Sequence, residues 1–431
     1  MRILVLGTGG REHALAWRLS RDVEVRHLVA APGNPGIASL ASCLPVDLLN
    51  PAEVLELAGR ERIDLTIVGP EAPLERGLAD LFRKEGRVIV GPSARGAVLE
   101  CSKIESKRFM ATRAIPTARF VVCDSVEAAI LAVSGPTFGF PVVVKADGLA
   151  AGKGVVVAES RQDAEAAIRA CMVEGQFGAA GARVVIEECL SGPEVSCFFL
   201  CDGRRAIPLS TAQDHKRIFD GDRGPNTGGM GAFAPSPLAD RALAEFTERQ
   251  VVGPVLEGMR EAGEPYIGFL YVSLMLTPDG PKVIEFNVRF GDPEAQVVVP
   301  QLEGSLAKAL LAAAEGSLVE GLLRIGPDKF VGVVLASRDY PARADYGQSI
   351  HGLDAAAAVP GALVFHAGTA LRDDHVVTAG GRVLTVVGQG SSFDDATATA
   401  YRAVDLIRFD GMQYRRDIGQ KAIAAGGGVR V

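Results

Sequence analysis

The stretch PKVIEFNVRFGDPE, residues 281–294, constrains the fold more than any other part of this chain. A β-strand has a period of two. Glu285, Asn287 and Arg289 therefore share one face, and Ile284, Phe286 and Val288 share the other. The apolar face requires a core beneath it. The face bearing an acid, an amide and a guanidinium requires water or a ligand, because a buried charge without a partner is costly. The segment thus predicts a sheet packed on one side and lining a cleft on the other. Glu285 and Asn287 are hard oxygen donors of the kind that suit Mg²⁺, which completes its octahedron with phosphate and water. Arg289 suits a carboxylate or phosphate held bidentately. A solvent-exposed strand face would show the same alternation, but the following GDPE turn adds Asp292 and Glu294 and favours a site.

A second segment, VVVKADGLAAGKGVVV at 142–157, places Lys145, Asp147, Gly148, Gly152, Lys153 and Gly154 in or beside a glycine-rich loop between two valine runs. Valine runs form strands, and the loop is too rich in glycine for a helix. A β-hairpin with a flexible tip is the local expectation. Glycines let backbone N–H groups approach an anion and lysine adds a point charge, so phosphate is the natural ligand. The P-loop pattern does not fit: Gly154 follows Lys153 where Ser or Thr is needed, and a strand comes next. Such a loop would act as a flap over phosphates; an ordinary mobile hairpin with solvated lysines is the plain alternative.

Residues 1–100 alternate strand signals, at 2–6, 25–30, 63–69 and 88–90, with helical patterns at 14–20 and 74–85, which implies a parallel sheet. GTGGREH follows the first strand and opens the first helix. It resembles a dinucleotide fingerprint but has Glu12 in place of the third glycine. Tight-turn chemistry alone, or an anion at the helix N-terminus, would each account for Gly9 and Gly10. Residues 93–115 predict one helix running into Pro116. The chain divides into an N-terminal α/β domain (1–102), a small lobe with the flap (103–194), a large lobe (195–324) and a C-terminal α+β domain (325–431). The expected fold class is therefore a multidomain α/β and α+β chain.

Composition narrows the function classes. With 48% apolar and 23% charged residues, the 431-residue chain has a soluble globular profile. Its net charge of −7 argues against a nucleic-acid partner. The apolar run after Arg2 is too short for a signal peptide, and no run reaches membrane-spanning length. The seven cysteines contain no CxxC pair, which fits a reducing compartment and so a cytoplasmic location, with Cys197 and Cys201 as core thiols. The dispersed histidines suggest no zinc site.

Two further constellations carry chemistry. The polar tract at 213–233, QDHKRIFDGDRGPNTGGMGAF, is long for a loop inside a compact domain. It reads as an ordered substrate loop or as one ordered only by ligand. It holds Asp214, His215, Lys216, Asn226, Thr227, Gly228, Gly229 and Met230. The segment 184–196 ends a strand at Glu187, Glu188, Cys189 and Leu190, then turns through Ser-Gly-Pro to Glu194. Its exposed backbone would read an adenine edge and its carboxylate would hold ribose; a solvated surface turn is the alternative.

Together these segments resemble the ATP-grasp superfamily, and within it the phosphoribosylamine–glycine ligase family. The resemblance rests on VGPEAPL (68–74), VVKADGLAAGKGV, QDHKR, GPNTGGMGA, IEFNVRFGDPE, HGL (351–353), VFHAGT (364–369) and GGRVL (380–384), in order over almost the whole chain. It implies an ATP-grasp fold of two α+β lobes after the N-terminal domain, with a small C-terminal domain. It implies ligation of glycine to 5-phosphoribosylamine through glycyl phosphate, with ATP and Mg²⁺ or Mn²⁺. Another carboxylate–amine ligase or a purine-intermediate carboxylase is the alternative within the superfamily. A nucleotide-binding protein without turnover is the alternative outside it. By resemblance, Lys103 and Lys145 contact ATP phosphates under the 147–154 loop, Glu187 to Leu190 hold adenine, and Glu194 holds ribose. Glu285 and Asn287 hold the metal. Arg289, Lys145 and Asp292 carry the chemistry. The 214–216 and 226–230 segments, with Arg289, Asp292, Pro293 and Glu294, bind substrate. Gly9 and Gly10 receive the phosphate of phosphoribosylamine. No nucleic acid, membrane or stable large assembly is expected; the chain is taken as a monomer or weak oligomer. Two departures stand out: the second metal ligand is an amide, and Cys101 replaces the glycine usual before Ser102-Lys103.

Overall fold

A computed structural model describes residues 1–135, 137–148 and 154–426. The alternation read in the first hundred residues becomes a parallel sheet. Its order is Ser42–Cys43, His27–Pro32, Arg2–Gly7, Leu65–Val68, Ile89–Val90. The central strand is buried from Ile3 onward, and the helix Gly10–Leu19 follows it after a short turn. The helix expected over 74–85 is two, Ala72–Glu75 and Leu78–Lys84, parted at Gly77, whose φ of +78° no helix tolerates.

The single helix expected over 93–115 is also two, Ala94–Cys101 and Lys103–Thr112. Between them Ser102 is extended, and its hydroxyl accepts the Glu105 N–H at 3.1 Å. Breaking the helix there gives Lys103 the first position of a new one, aimed at the cleft.

The valine runs pair as expected. Val142–Ala146 and Val155–Ala158 are antiparallel neighbours in a four-stranded sheet completed by Val184–Glu188 and Phe120–Cys123. Helices Val126–Ser134 and Arg161–Met172 close its apolar core. Gly152 and Lys153, expected at the flap tip, lie outside the described residues.

The third sheet is antiparallel and eight-stranded. Its order is Gly280–Asn287, Ile267–Thr277, Glu194–Asp202, Ala206–Asp214, Gly231–Ala234, Lys329–Ala336, Arg382–Gly390, Ala362–His366. Along Glu194–Asp202, Val195, Cys197, Phe199 and Cys201 enter one core while Phe198 and Leu200 enter another, so both faces are covered. The three strands beyond residue 325 join the same sheet through pairing of Gly231–Ala234 with Lys329–Ala336. The division expected at 324/325 therefore falls within one hydrogen-bonded sheet. The helix Phe393–Val404 packs on that extension.

One register detail overturns an expectation. Glu285 pairs with Ser273, but Leu274 pairs with Val283, so the strand bulges at Ile284. The bulge puts Val283, with Phe286 and Val288, into the core and leaves Ile284 half-buried in the wall of the cleft.

Candidate functional site

A cavity of about 890 Å³ opens between the four-stranded sheet and the adjoining end of the eight-stranded one. Its walls differ along its length. At one end Val143, Val155, Val157, Leu190, Met275 and Ile284 make an apolar slot beside Glu188 and Cys189. A flat aromatic base suits such a slot, with strand-end backbone available to its polar edge.

Beyond the slot, lysines and acids interlock. Lys145 and Lys107 both reach Glu187 Oε2, each at 3.0 Å, and all three side chains are buried. Lys107 also donates to Thr117 Oγ1 at 2.7 Å. Burial, offset in part by Glu187 and aided by Lys145, brings the Lys107 ammonium down to about 8. Glu187 thus turns one carboxylate oxygen, Oε2, to two lysines, while Oε1 is buried without a partner among the described residues. Glu188 accepts from Arg119 (2.6 Å) and Lys282 (3.2 Å). Burial would raise its carboxyl, but these bonds bring it down to about 2.

Lys103 Nζ lies 2.9 Å from Glu285 Oε2. Burial opposes ionisation of Glu285, yet Lys103, Lys145 and Lys216 hold its carboxyl far below the usual range. Glu285, Asn287 and Arg289 all face the cavity, as the period of two requires. A carboxylate and an amide oxygen on one strand face form a donor set that fits a divalent cation of the Mg²⁺ type. Arg289 donates to Glu100 (2.7 Å), Glu71 (3.3 Å) and the Phe290 carbonyl (3.1 Å).

The far end is richer in acids. Asp214, Glu194, Asp292 and Glu294 line it with Lys216, Arg382, Asn226, Thr227 and Gly228. Lys216 pairs with Glu194. Tyr271 donates to Glu294 Oε1 at 3.0 Å. Burial, with Glu294 and Glu194 nearby and Lys216 opposing, pushes the Asp214 carboxyl up to about 7. Burial likewise raises Glu294. Arg382 donates to the Gly228 carbonyl at 2.6 Å and approaches Asp292 Oδ1 at 3.3 Å, tying the glycine-rich tract to the GDPE turn.

Several expected site residues lie elsewhere. His215 is buried with its ring edge-on to Phe233, and neither ring nitrogen has a partner among the described residues. Burial, with Arg415 beside it, lowers its pKa to about 4, so it is a neutral core group. Met230 packs with Ile218 and Ala336 in a small apolar cluster. Gly229, at φ +112°, abuts Pro293, and neither lines the cavity. Asp147 accepts from Ser102 Oγ (2.7 Å), Ile104 N–H (3.2 Å) and Arg183 (2.7 Å), which makes it an anchor between the hairpin and the Lys103 helix. Gly148 and Gly154 do line the cavity. Gly9 and Gly10 do not: they back onto Asp292 and Gln296, which would crowd any Cβ at those positions, and Arg11 lines the cavity instead.

Glu71, Glu100, Lys107, Tyr271 and Arg382 were not picked out from sequence as site residues. Period-two or helical spacing carries no trace of Glu71, Glu100, Tyr271 or Arg382, because each meets its partner through tertiary contact. Lys107 alone left a signal, one turn beyond Lys103 on the same helix.

Comparison with known proteins identifies the family. Models of the phosphoribosylglycinamide synthetase N domain, ATP-grasp (A) domain and C domain match residues 1–100, 101–295 and 330–421. The chain is 48% identical over 427 residues to the phosphoribosylamine–glycine ligase of Pseudomonas aeruginosa, covering 98% of this chain and 99% of that one. It is 46% identical over 425 residues to that of Neisseria meningitidis, covering 98% and 100%. The crystal structure of the Thermotoga maritima phosphoribosylamine–glycine ligase superposes with a TM-score of 0.84 at 32% identity, over 97% of this chain and 100% of that one. A biotin carboxylase from Campylobacter jejuni shares the fold alone, with a TM-score of 0.73 at 15% identity over 98% and 95%.

Proposed function

The chain belongs to the phosphoribosylglycinamide synthetase family, and from that premise we propose how this cleft carries the family's reaction. The chain is an ATP-dependent ligase of purine biosynthesis: it joins glycine to 5-phosphoribosylamine, giving glycinamide ribonucleotide, ADP and phosphate. It uses ATP with a divalent metal ion; we take the ion to be Mg²⁺ or Mn²⁺.

Glycine's carboxylate does not react with amines, being an anion with a poor leaving group. Transfer of the γ-phosphoryl group to it gives glycyl phosphate, whose carbonyl the amine of phosphoribosylamine attacks, expelling phosphate. In this reading adenine occupies the slot of Val143, Leu190, Met275 and Ile284, against the backbone of 187–190. Glu194, paired with Lys216 where the acid-rich end begins, receives the ribose. Lys103 and Lys145 meet the phosphates, held in place by Glu285 and by Glu187. The cation held by Glu285 and Asn287 would neutralise charge on the phosphate oxygens. Arg289, fixed by Glu71 and Glu100, receives glycine's carboxylate or the transferring phosphoryl group. The acid-rich end, Asp214, Asp292 and Glu294, receives the ammonium of glycine. The segment 226–228 and Arg11, which follows Gly9 and Gly10, receive phosphoribosylamine. The loop at 147–154 closes over the phosphates, since an acyl phosphate must be kept from water.

The division into 1–102, 103–194, 195–324 and 325–431 remains our proposal for the units of this machine, as do a cytoplasmic setting and a monomeric or weakly associated state. Among the described residues, no helix is long and apolar enough to cross a membrane.

The observation that carries this reading is the convergence of Lys103, Lys145, Glu285, Asn287 and Arg289 in one cavity with a row of acids at its far end. The test is amide formation from radiolabelled glycine, omitting each reactant in turn. Product should require ATP, the divalent ion, glycine and phosphoribosylamine together. ADP release supported equally by bicarbonate or by an unrelated amino acid would overturn it.

A further inference from the structure

The short hairpin Arg217–Phe219 and Arg223–Asn226 supplies Arg217, Asp222 and Asn226 to the wall of the cleft at its acid-rich end. Among the described residues its strands have only each other as sheet neighbours. At its tip Gly221 and Asp222 are both left-handed, with φ of +68° and +53°. Glycine adopts that conformation freely and aspartate tolerates it at some cost, so the turn draws on its surroundings.

Those surroundings come from the other end of the chain. Arg415 is wholly buried. Its Nη1 donates to Asp222 Oδ1 at 2.8 Å and to the Arg217 carbonyl at 3.1 Å. Its Nε and Nη2 reach the two oxygens of Asp417 at 2.7 and 2.6 Å. Asp417 Oδ2 in turn accepts the Gly221 N–H at 2.9 Å. The Arg416 N–H donates to Asp220 Oδ1 at 2.8 Å, and Lys421 Nζ lies 2.6 Å from Asp222 Oδ2. Every residue of the tip is therefore bonded to the segment 415–421. That segment is fixed to the body of the protein by Tyr401, whose hydroxyl donates to the Arg415 carbonyl at 2.9 Å and accepts the Ile418 N–H at 3.0 Å.

From this arrangement we infer that Arg415 is a positioning residue for the ligase reaction, holding the 217–226 hairpin in the form that receives the non-nucleotide substrates. The inference rests on the reading above, that the end of the cleft away from Lys103 and Lys145 takes glycine and phosphoribosylamine. Only a guanidinium meets these partners. One planar fork grips Asp417 with two N–H groups while a third bonds the hairpin, a geometry an ammonium cannot reproduce. Arg415 lies far along the chain from the motifs that line the cleft and touches none of the reacting atoms. Its effect passes through the hairpin.

The experiment compares full-length wild type with Arg415→Gln, Arg415→Lys and Asp222→Asn, in steady-state assays that vary each substrate in turn, alongside thermal unfolding. Asp222→Asn removes the carboxylate charge that Arg415 and Lys421 hold, weakening the same contact from the hairpin side, and leaves the pair of Arg415 with Asp417 in place, so it reports on the hairpin even if an Arg415 variant folds poorly. Arg415→Gln and Asp222→Asn are each expected to raise the KM of glycine or of phosphoribosylamine about tenfold, with the KM of ATP held within about twofold. Arg415→Lys should fail to restore the wild-type value. Trypsin should cut after Arg223 faster in both variants than in wild type. A role confined to stability predicts the opposite pattern: a lower unfolding midpoint for Arg415→Gln, equal loss for all three substrates, and no kinetic effect of Asp222→Asn. That pattern, or unchanged KM values throughout, would overturn the inference while the assignment of the cleft stood. A wild type whose ADP release ignored both glycine and phosphoribosylamine would overturn the assignment, and the inference with it.

Discussion

The two ends of the cleft solve opposite electrostatic problems. At the nucleotide end Lys145 and Lys107 share the single carboxylate of Glu187, and the buried Lys107 ammonium is pulled down to about 8. At the substrate end Asp214, Glu194 and Glu294 crowd around Lys216, and the Asp214 carboxyl is pushed up to about 7. Burial is the largest cause in both. The excess of one sign in each place decides which group suffers. A region short of anions is prepared for a polyphosphate; a region short of cations is prepared for an ammonium. The protein thus holds each end in a state that its substrate completes.

The strongest way to break this contrast is at the seam, where Glu285 faces Lys103. Glu285→Gln should cut turnover about 100- to 1,000-fold while nucleotide affinity moves only a few-fold, because the charge lost faces the phosphates and not the apolar slot. Single-turnover ADP formation, with nucleotide affinity measured separately, reads both. Near-normal ADP formation would remove Glu285 from the metal site.

Next in size is Glu187→Gln, which leaves two buried lysines without their shared partner. A loss of about 3–5 kcal/mol of stability is expected on urea denaturation, by the usual cost of an orphaned buried charge. A much smaller loss would mean that water already screens the pair, and the nucleotide end would no longer count as short of anions.

The smallest effect sharpens the other end. A carboxyl raised from the ordinary 3.8 to about 7 binds its proton more tightly in the folded chain than in the unfolded one. Its contribution is therefore fully present below about pH 4 and disappears as pH rises to about 7. Across that window the ligand-free wild type should lose roughly 2–4 °C of unfolding midpoint relative to Asp214→Asn, and should then run parallel to it. Parallel curves throughout would show that Asp214 is an ordinary solvated acid.

What the sequence made legible follows the same physics. The period of two in 281–289 placed Glu285, Asn287 and Arg289 on one face because backbone geometry alone decides that. It misplaced Ile284 because the bulge depends on the partner strand, with Leu274 meeting Val283. The break at Ser102 was written locally, as Ser-x-x-Glu before an apolar run, but it was masked by good helix formers on both sides. His215 and Met230 sit in a polar tract, and only the packed structure shows that they are among the tract's buried members. Glu71 and Glu100 could not have been paired with Arg289 from spacing, being 218 and 189 residues away.

The eight-stranded sheet bears on how such ligases can be recombined. An exchange of tails between relatives at residue 324 would sever the main-chain ladder between Gly231–Ala234 and Lys329–Ala336 and expose a raw strand edge on each piece. Donor and recipient would have to match there in alignment and side-chain volume. A junction near residue 100 carries a requirement of its own, because Glu71 and Glu100 on one side hold Arg289 on the other. The terminal quarter of this enzyme is thus inherited with its active site, as stitching and not as an accessory.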